Sequence, residues 1–310
     1  MQENSNKKIL IFGGSGFIGS DLVDQISRNS KYKTDIVCTN REKSKKKLKN
    51  KNIGFRIFDI FDETILKDQI KEYDIIINLI GKLFEKSKND FDKFHHQFPE
   101  LLSKNISEHQ LFIHISALGV EHSSKSSLYA KSKLEGEQKI IRNLENNYVI
   151  IKPSIVFGEE DNFFNLFAEM SRFSPILPLI GGGEAKFAPI YVKDINKSIL
   201  EIINRPKQYK GSIFEAYGKK EVSFKELMQF ILKSTKKKRL LLNIPFSIAK
   251  FQAKIINFLR IYVLTSDQVE LLKYNNVASK KFANIDTIIK NLANYEDIVP
   301  QYLNKNSNDY

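Results

Sequence analysis

The turn that follows the first apolar run constrains the fold of this chain more than any other sequence feature. The run Lys8-Ile-Leu-Ile-Phe12 predicts a buried strand, and Phe17–Ser27 has the spacing of an amphipathic helix. The glycine-rich segment Gly13-Gly14-Ser15-Gly16-Phe17-Ile18-Gly19 joins them. A strand–turn–helix unit of this kind brings backbone amides and a helix N-terminus close to a diphosphate. We therefore predict dinucleotide contacts from Gly13, Ser15, Gly16, Phe17, Ile18 and Gly19; the alternative is a glycine turn without a ligand.

The rest of the first half alternates short apolar runs with helical stretches. The sequence predicts further strands at residues 34–38, 53–58, 74–79, 111–116 and 148–151, and helices at 63–71, 99–107 and 128–144. This alternation predicts an α/β fold. We expect a Rossmann-type, doubly wound parallel sheet whose ligands bind at the carboxyl ends of its strands.

The pattern becomes less regular after residue 157. It predicts helices at 162–173, 194–203 and 223–232, a strand at 212–216, and a loop rich in proline and glycine at 175–183. We therefore predict an NAD(P)-binding Rossmann domain at residues 1–157. A smaller C-terminal α/β lobe at 158–310 is expected to pack on the sheet edge, and segments that return to the first domain are an open alternative.

Charge and composition limit the classes of function. The net charge of +13 favours acidic partners, but the basic runs lack the interleaved aromatic residues of a nucleic-acid module, so no nucleic-acid partner is expected. Cys38 is the single cysteine, which fits a reducing compartment. No secretion signal and no membrane span are predicted, so we expect a cytoplasmic protein. His95 and His96 have no partner at metal-ligand spacing, and no metal site is predicted.

The residues after the second strand favour one form of the cofactor. An NAD site usually has an acidic residue about 20 residues beyond the glycine loop. This chain has Thr39-Asn40-Arg41 there, and Arg41 is able to pair with a 2′-phosphate, so NADP(H) is favoured over NAD(H). The alternative is a solvated basic loop. We assign to the same site the residues that end the later strands, namely Asp59, Ile60, Leu79, Ile80, Gly81 and Pro153.

A tyrosine and a lysine stand four residues apart on the predicted helix at 128–144. The i, i+4 spacing puts Tyr129 and Lys133 on one face. A neighbouring cation stabilises a phenolate, so Tyr129 is able to exchange a proton with a carbonyl oxygen while nicotinamide exchanges hydride. Lys133 would also bond the cofactor ribose, and Ser116 would hold the substrate oxygen. The alternative is a solvent-facing helix pair.

These residues together resemble the short-chain dehydrogenase/reductase superfamily in its extended or atypical form. Further stretches are similar to the complex I accessory-subunit family of the alpha-subcomplex subunit nine type and its bacterial relatives. The most specific of them are Phe157-Gly-x-Glu-Asp-x-Phe-x-Asn165 and Asp267-Gln-Val-Glu-Leu-Leu272. The resemblance covers nearly the whole chain.

The resemblance implies a structural NADP(H) in a protein on the peripheral arm of complex I, close to the membrane. The partners it implies are complex I subunits and the cytoplasmic face of the inner membrane. The alternative function is a reductase or epimerase that uses Tyr129, Lys133 and Ser116. Only 12 residues separate Ser116 from Tyr129. Sugar-modifying relatives usually have a longer loop there, so the short loop argues against a nucleotide-sugar substrate.

The segment Leu240 to Leu264 follows the basic run Lys236-Lys-Lys-Arg239. Apolar residues interrupted by Lys250, Lys254 and Arg260 are typical of a helix that lies on an anionic membrane surface. A core helix of the second lobe that follows a solvated basic turn fits the same pattern. Both interpretations stay open at the level of the sequence.

Overall fold

The strands and helices come from a computed structural model that describes residues 7–48, 52–258 and 264–305. Its strands are β1 (Lys7–Phe12), β2 (Tyr32–Val37), β3 (Gly54–Arg56), β4 (Ile75–Asn78), β5 (Leu111–Ile115), β6 (Tyr148–Pro153), β7 (Val156–Phe157), β8 (Ile176–Ile180), β9 (Lys186–Phe187), β10 (Ile190–Tyr191), β11 (Ser212–Ala216), β12 (Val222–Ser223), β13 (Leu240–Ile244) and β14 (Ala283–Asn284).

The helices lie between these strands and beyond them. They are α1 (Phe17–Ser27), α2 (Arg41–Lys47), α3 (Glu63–Ile70), α4 (Phe98–Asn105), α5 (Val120–Ser123), α6 (Leu128–Leu144), α7 (Phe164–Phe173), α8 (Val192–Asn204), α9 (Pro206–Tyr209), α10 (Phe224–Ser234), α11 (Phe246–Phe258), α12 (Ser266–Leu271) and α13 (Tyr295–Lys305). A π-helix covers Asp92–Gln97, and 3-10 turns cover Gly181–Gly183 and Ile285–Thr287.

The central sheet has eight strands in the order β14-β11-β6-β5-β4-β1-β2-β3. The six strands from β3 to β6 pair in parallel, and Leu10 of β1 lies between Asp35 of β2 and Ile76 of β4. The chain moves outward from β1 to β3, then crosses back to β4 on the other side. This reversal is the point at which doubly wound sheets bind dinucleotides. The predicted Rossmann-type α/β fold is confirmed.

Apolar positions explain why the helices bind to this sheet. Leu22, Val23 and Ile26 form the buried face of α1, at the spacing that the sequence predicted. Phe12 and Phe98 belong to a hydrophobic core on this sheet, in which their rings pack edge to face with centroids 5.1 Å apart. Burial of these side chains fixes the strand ends that carry the site described below.

Two predictions for the second half of the chain are wrong. Residues 176–180, predicted as loop, form β8, and residues 240–244, predicted as the start of a long helix, form β13. The two strands pair in parallel with Leu241 opposite Leu177, and Leu177 is buried. Pairing between distant segments decides these conformations, and no local pattern reports it. The helical part of the segment begins at Phe246; residues 259–263, including Arg260, and the side chain of Lys254 lie outside the described residues.

The described residues form two compact units with interleaved segments. The first unit contains the described parts of residues 1–116, 132–152 and 196–214, and the second contains those of 117–131, 153–195 and 215–310. The second unit has its own aromatic core, in which the Phe163 ring lies 5.2 Å from that of Phe167 and 6.1 Å from that of Phe224. A domain boundary after residue 157 stays a prediction.

Candidate functional site

The turn between β1 and α1 needs glycine at several positions. Gly13 has φ of +78°, and a Cβ there would lie 3.0 Å from the carbonyl carbon of Leu79. A Cβ at Gly19 would lie 2.4 Å from the carbonyl oxygen of Gly13. The backbone therefore packs too tightly for side chains, which holds the turn close to the end of β4.

The N-terminus of α1 faces outward at Gly16. The Gly16 amide donates to the Gly13 carbonyl oxygen at 3.0 Å, and Gly16 itself is exposed in an extended conformation. Within the described residues, no side chain caps this helix and its first turn contains no acidic residue. The first amides of a helix have no intrahelical acceptor, and the helix dipole adds positive potential. This end of α1 is therefore suited to an anion.

The end of β4 lies against the same turn. Asn78 is buried, accepts from the Ile80 amide at 3.1 Å, and contacts Nδ1 of His114 at 3.2 Å through its Nδ2. A Cβ at Gly81 would lie 3.9 Å from Nζ of Lys133. The structure thus brings the predicted residues Leu79, Ile80 and Gly81 close to the glycine turn or to Lys133.

Arg41 begins α2, so residues 41–47 form a helix where the alternative expected a loop; the pairing of Arg41 with a 2′-phosphate stays a prediction. Asn40 caps this helix by accepting from the Lys43 amide at 2.9 Å. The exposed Arg41 guanidinium lies 5.6 Å from the centre of the Phe55 ring, in cation–π geometry. The only carboxylate of α2, Glu42, binds Lys45 at 3.0 Å. Arg41 is therefore held beyond the end of β2 with its positive charge accessible.

Two predicted residues follow β3. Asp59 is exposed and accepts from the Phe61 amide at 3.0 Å, which forms a turn before α3. Ile60 is half-buried and packs on the core beneath the sheet edge. Both lie past the carboxyl end of a parallel strand, on the edge that also carries Gly13 and Arg41.

The hydroxyl of Ser116 is engaged by residues that sequence reasoning missed. It donates a hydrogen bond to Oε1 of Glu137, whose other oxygen binds Nζ of Lys152 at 2.8 Å. All three side chains are buried. Ser116 would have to leave this hydrogen bond before it could anchor a substrate carbonyl. Lys152 inside an apolar strand was a signal of a buried ion pair, but its partner was not deducible from spacing.

Lys133 is buried, and its Nζ donates to the Ile115 carbonyl oxygen at 3.0 Å. Burial lowers the pKa of Lys133 to about 8, partly offset by the charge of Glu137. Burial, and then the charge of Asp267, raise the pKa of Tyr129 to about 12. Without a bound nucleotide, the phenol is therefore neutral at physiological pH, which is the state of a hydrogen-bond donor rather than of a general base.

Pro153 is the last of the predicted site residues. It ends β6, and its carbonyl oxygen accepts a hydrogen bond from the Leu118 amide.

The fold gives His95 and His96 contacts that their positions in the sequence do not indicate. His95 is buried between the Lys82 amide and Ser132, and burial, followed by the charge of Lys133, lowers its pKa to about 2. His96 Nδ1 lies 2.8 Å from Asp92 and 3.8 Å from Glu135, so the fold supplies carboxylate neighbours that the sequence did not reveal. The ligand atoms of Asp92, His96 and Glu135 all lie within 4.8 Å of one another. The absence of a metal site stays a prediction.

Comparison with known proteins agrees with this geometry. Residues 9–216 match the model of the NAD dependent epimerase/dehydratase family. The chain is 27% identical over 304 residues to "NADH dehydrogenase [ubiquinone] 1 alpha subcomplex subunit 9, mitochondrial" of Arabidopsis thaliana, covering 92% of this chain and 75% of that protein. The protein of the same name from Dictyostelium discoideum is 30% identical over 76% of this chain and 66% of its own length.

A solved structure has the same fold. The dTDP-glucose 4,6-dehydratase of Bacillus anthracis in complex with NAD superposes with a TM-score of 0.72 at 16% identity. The match covers 98% of this chain and 97% of that one. At this identity the likeness concerns the fold alone.

Proposed function

This chain belongs to the NAD dependent epimerase/dehydratase family, and from that premise we propose that it binds NADP(H) as a structural ligand and serves as an accessory subunit of respiratory complex I. The observation that carries the proposal is the open N-terminus of α1 beside a glycine turn, in a chain similar over 92% of its length to a complex I subunit. The diphosphate would lie against the backbone of Gly13, Ser15 and Gly16. The amides of Phe17, Ile18 and Gly19, which begin α1 and have no intrahelical acceptor, would face it.

The remaining cofactor contacts follow from the strand order. Arg41 would pair with the 2′-phosphate, and Asp59 and Ile60 would face the adenine. Leu79, Ile80, Gly81 and Pro153 would line the nucleotide along the strand ends, with Tyr129 and Lys133 as hydrogen-bond donors to its ribose.

The preference for NADP(H) depends on the charge of Arg41. We expect Arg41→Ala to weaken NADPH binding about tenfold or more and to leave NADH binding within about twofold, because only the former has a 2′-phosphate to pair. Isothermal titration with both nucleotides measures the ratio. Lys46→Ala, on the same helix, is the control for a general loss of positive charge. Equal losses for the two nucleotides would show that Arg41 does not select the phosphate.

Docking to partners is proposed for one face of the second unit. Leu240 of β13 lies opposite Ile176 of β8, and both are exposed, as is Phe173 at the end of α7. Leu242 of β13 and Ile248 and Phe251 of α11 are exposed as well. The exposed residues Lys236, Lys237 and Lys238 come shortly before β13 in the chain. Exposed apolar residues accompanied by cations are typical of surfaces that meet a protein partner or an anionic membrane. Among the described residues, no helix is long and apolar enough to cross a bilayer.

Affinity purification of the full chain from native membranes tests this role. Complex I subunits should co-purify with the unmodified chain, and the Phe173→Ser, Leu240→Ser double variant should lose them while retaining NADPH binding. Flotation with vesicles that contain anionic lipid separates a membrane contact from a protein contact. Recovery of the chain without complex I subunits would contradict the proposed role.

A second candidate function is an NAD(P)-dependent reductase or epimerase. It is favoured by Tyr129 and Lys133, which lie one turn apart on α6, and by the low pKa of Lys133. Under the structural role, Tyr129→Phe should leave co-purification intact and change NADPH affinity less than about fivefold, since one neutral hydrogen bond is lost. Under the enzymatic role the same variant should abolish hydride transfer. Turnover by the unmodified chain that Tyr129→Phe removes would favour the enzyme.

A further inference from the structure

The N-terminus of the helix that carries Tyr129 is capped by a residue from far along the chain. Asp267 accepts from the hydroxyl of Ser127 at 2.8 Å, from the Leu128 amide at 2.7 Å and from the Tyr129 amide at 3.3 Å. Ser127 in turn accepts from the Ala130 amide at 3.1 Å. The first three amides of α6 therefore all have acceptors. Two of these depend on a carboxylate 138 to 139 residues away.

Asp267 is itself held in place by its own short helix. Thr265 and Gln268 form a reciprocal capping box at the start of α12, with the Gln268 amide donating to Thr265 at 3.2 Å and the Thr265 amide donating to Gln268 at 2.9 Å. Further along α12, Glu270 binds Lys250 at 2.5 Å and Lys273 at 2.8 Å. The short helix that carries Asp267 is thus held by side-chain contacts at its start and along its length.

The same C-terminal segment contacts the rest of the loop that leads to Tyr129. The Ser126 hydroxyl donates to the hydroxyl of Tyr274 at 2.9 Å, and Nδ2 of Asn276 donates to the Leu118 carbonyl oxygen at 2.7 Å. The hydroxyl of Ser154, just past β6, donates to Oδ1 of Asn276 at 2.6 Å. Residues 265–276 therefore hold both ends of the short segment between Ser116 and Tyr129.

We propose that Asp267 is the positioning residue for Tyr129: its carboxylate fixes the first turn of α6, from which the Tyr129 side chain extends, and holds a negative charge at the backbone amide of Tyr129. A negative charge opposes formation of phenolate, and burial acts in the same direction on the pKa of Tyr129. Tyr129 is thereby held in the form that binds a nucleotide ribose and disfavoured in the form that removes a proton. This inference rests on the proposed function where it concerns the nucleotide.

Two variants of Asp267 separate the effect of its hydrogen bonds to the helix amides from the effect of its negative charge. Asp267→Asn removes the charge and retains one of the two acceptor oxygens, enough for the Leu128 amide but not also for the Tyr129 amide. Asp267→Ala removes both. Asp286→Asn, an exposed carboxylate of the same unit, is the control for a general change of charge.

The charge is tested by placing fluorotyrosine at position 129 and following its ionisation by fluorine NMR as the pH is raised. Asp267→Asn should lower the titration midpoint by on the order of 1 pH unit, while Asp286→Asn leaves it unchanged. This measurement needs no nucleotide, so it remains decisive even if the proposed cofactor is wrong. An unchanged midpoint in Asp267→Asn would overturn the electrostatic part of the proposal.

The cap is tested by isothermal titration with NADPH. Asp267→Ala should weaken binding about fivefold, because the turn that carries Tyr129 must be reordered, and Asp267→Asn, which retains one acceptor, should recover part of that loss. If Asp267→Ala does not fold, the NADPH affinity of Asp267→Asn and the fluorine titration test the positioning role instead. Equal affinities for the two variants would overturn the positioning role, whereas failure of the unmodified chain to bind NADPH would instead reject the proposed function.

Discussion

Gly16→Ala is expected to lower the affinity for NADPH by at least about 100-fold while the melting temperature of the nucleotide-free chain stays almost unchanged. The backbone of Gly16, with φ of −82°, suits alanine, and the added Cβ meets a single nearby atom, the Gly13 carbonyl oxygen at 3.2 Å. The methyl group would occupy the space into which a diphosphate must approach. Two lost charge-assisted hydrogen bonds, at about 1.5 kcal/mol or more each, account for the expected factor.

Two other variants serve as controls, one for loss of stability and one for a change on α1 away from the site. Gly19→Ala should destabilise the fold itself, because its Cβ would clash with backbone at 2.4 Å, so loss of binding there would carry little information. Gln25→Ala, on α1 but two turns beyond the site, should bind NADPH like the unmodified chain. Isothermal titration and thermal unfolding of all three compare binding with stability. Unchanged affinity in Gly16→Ala would mean that no diphosphate lies on this turn.

Glu137→Ala is expected to lower the free energy of unfolding by about 3–5 kcal/mol, because it removes the carboxylate that binds the buried ammonium group of Lys152. Only 1% of the Lys152 side chain and 5% of the Glu137 side chain are exposed. The double variant Glu137→Leu, Lys152→Met should recover most of this loss, since two apolar residues replace two buried charges.

Denaturation in urea measures these differences. Lys71→Ala, which breaks the exposed pair with Asp68, is the control and should cost less than about 1 kcal/mol. A loss in Glu137→Ala no larger than that of the control would show that the buried pair does not stabilise the fold. The Glu137→Ala result also bears on chemistry, because Glu137 holds the Ser116 hydroxyl that an enzyme of this family type would need for its substrate.

The sequence predicted the sheet well because its signals are local. The strand, glycine turn and first helix occupy adjacent residues, and α6 has the predicted bounds, Leu128–Leu144. The pairing of β8 with β13 was missed because it joins segments more than 60 residues apart, and a proline-containing run such as Ile176-Leu-Pro-Leu-Ile180 resembles a loop.

The same distinction holds for the candidate site. The residues expected at the strand ends, such as Arg41 and Gly81, follow from alternation and from the parallel strand order. Asp267 and Glu137 could not be predicted, because each acts on a partner that only the tertiary fold brings near. Asp267 does belong to a local helix-start signature, Thr265-Ser-Asp-Gln268, but that pattern accounts for α12 and not for the distant helix that it caps.

A dinucleotide on the turn between β1 and α1 underlies every contact proposed for this site. To test for it, the purified full chain is denatured, the released small molecules are identified by mass spectrometry, and the emptied protein is titrated with NADPH and NADH. We expect about one nicotinamide nucleotide per chain, and heat of binding for both nucleotides with NADPH bound more tightly. Material that releases no nucleotide, and that shows neither heat nor a thermal shift with NADPH or NADH, would contradict this expectation.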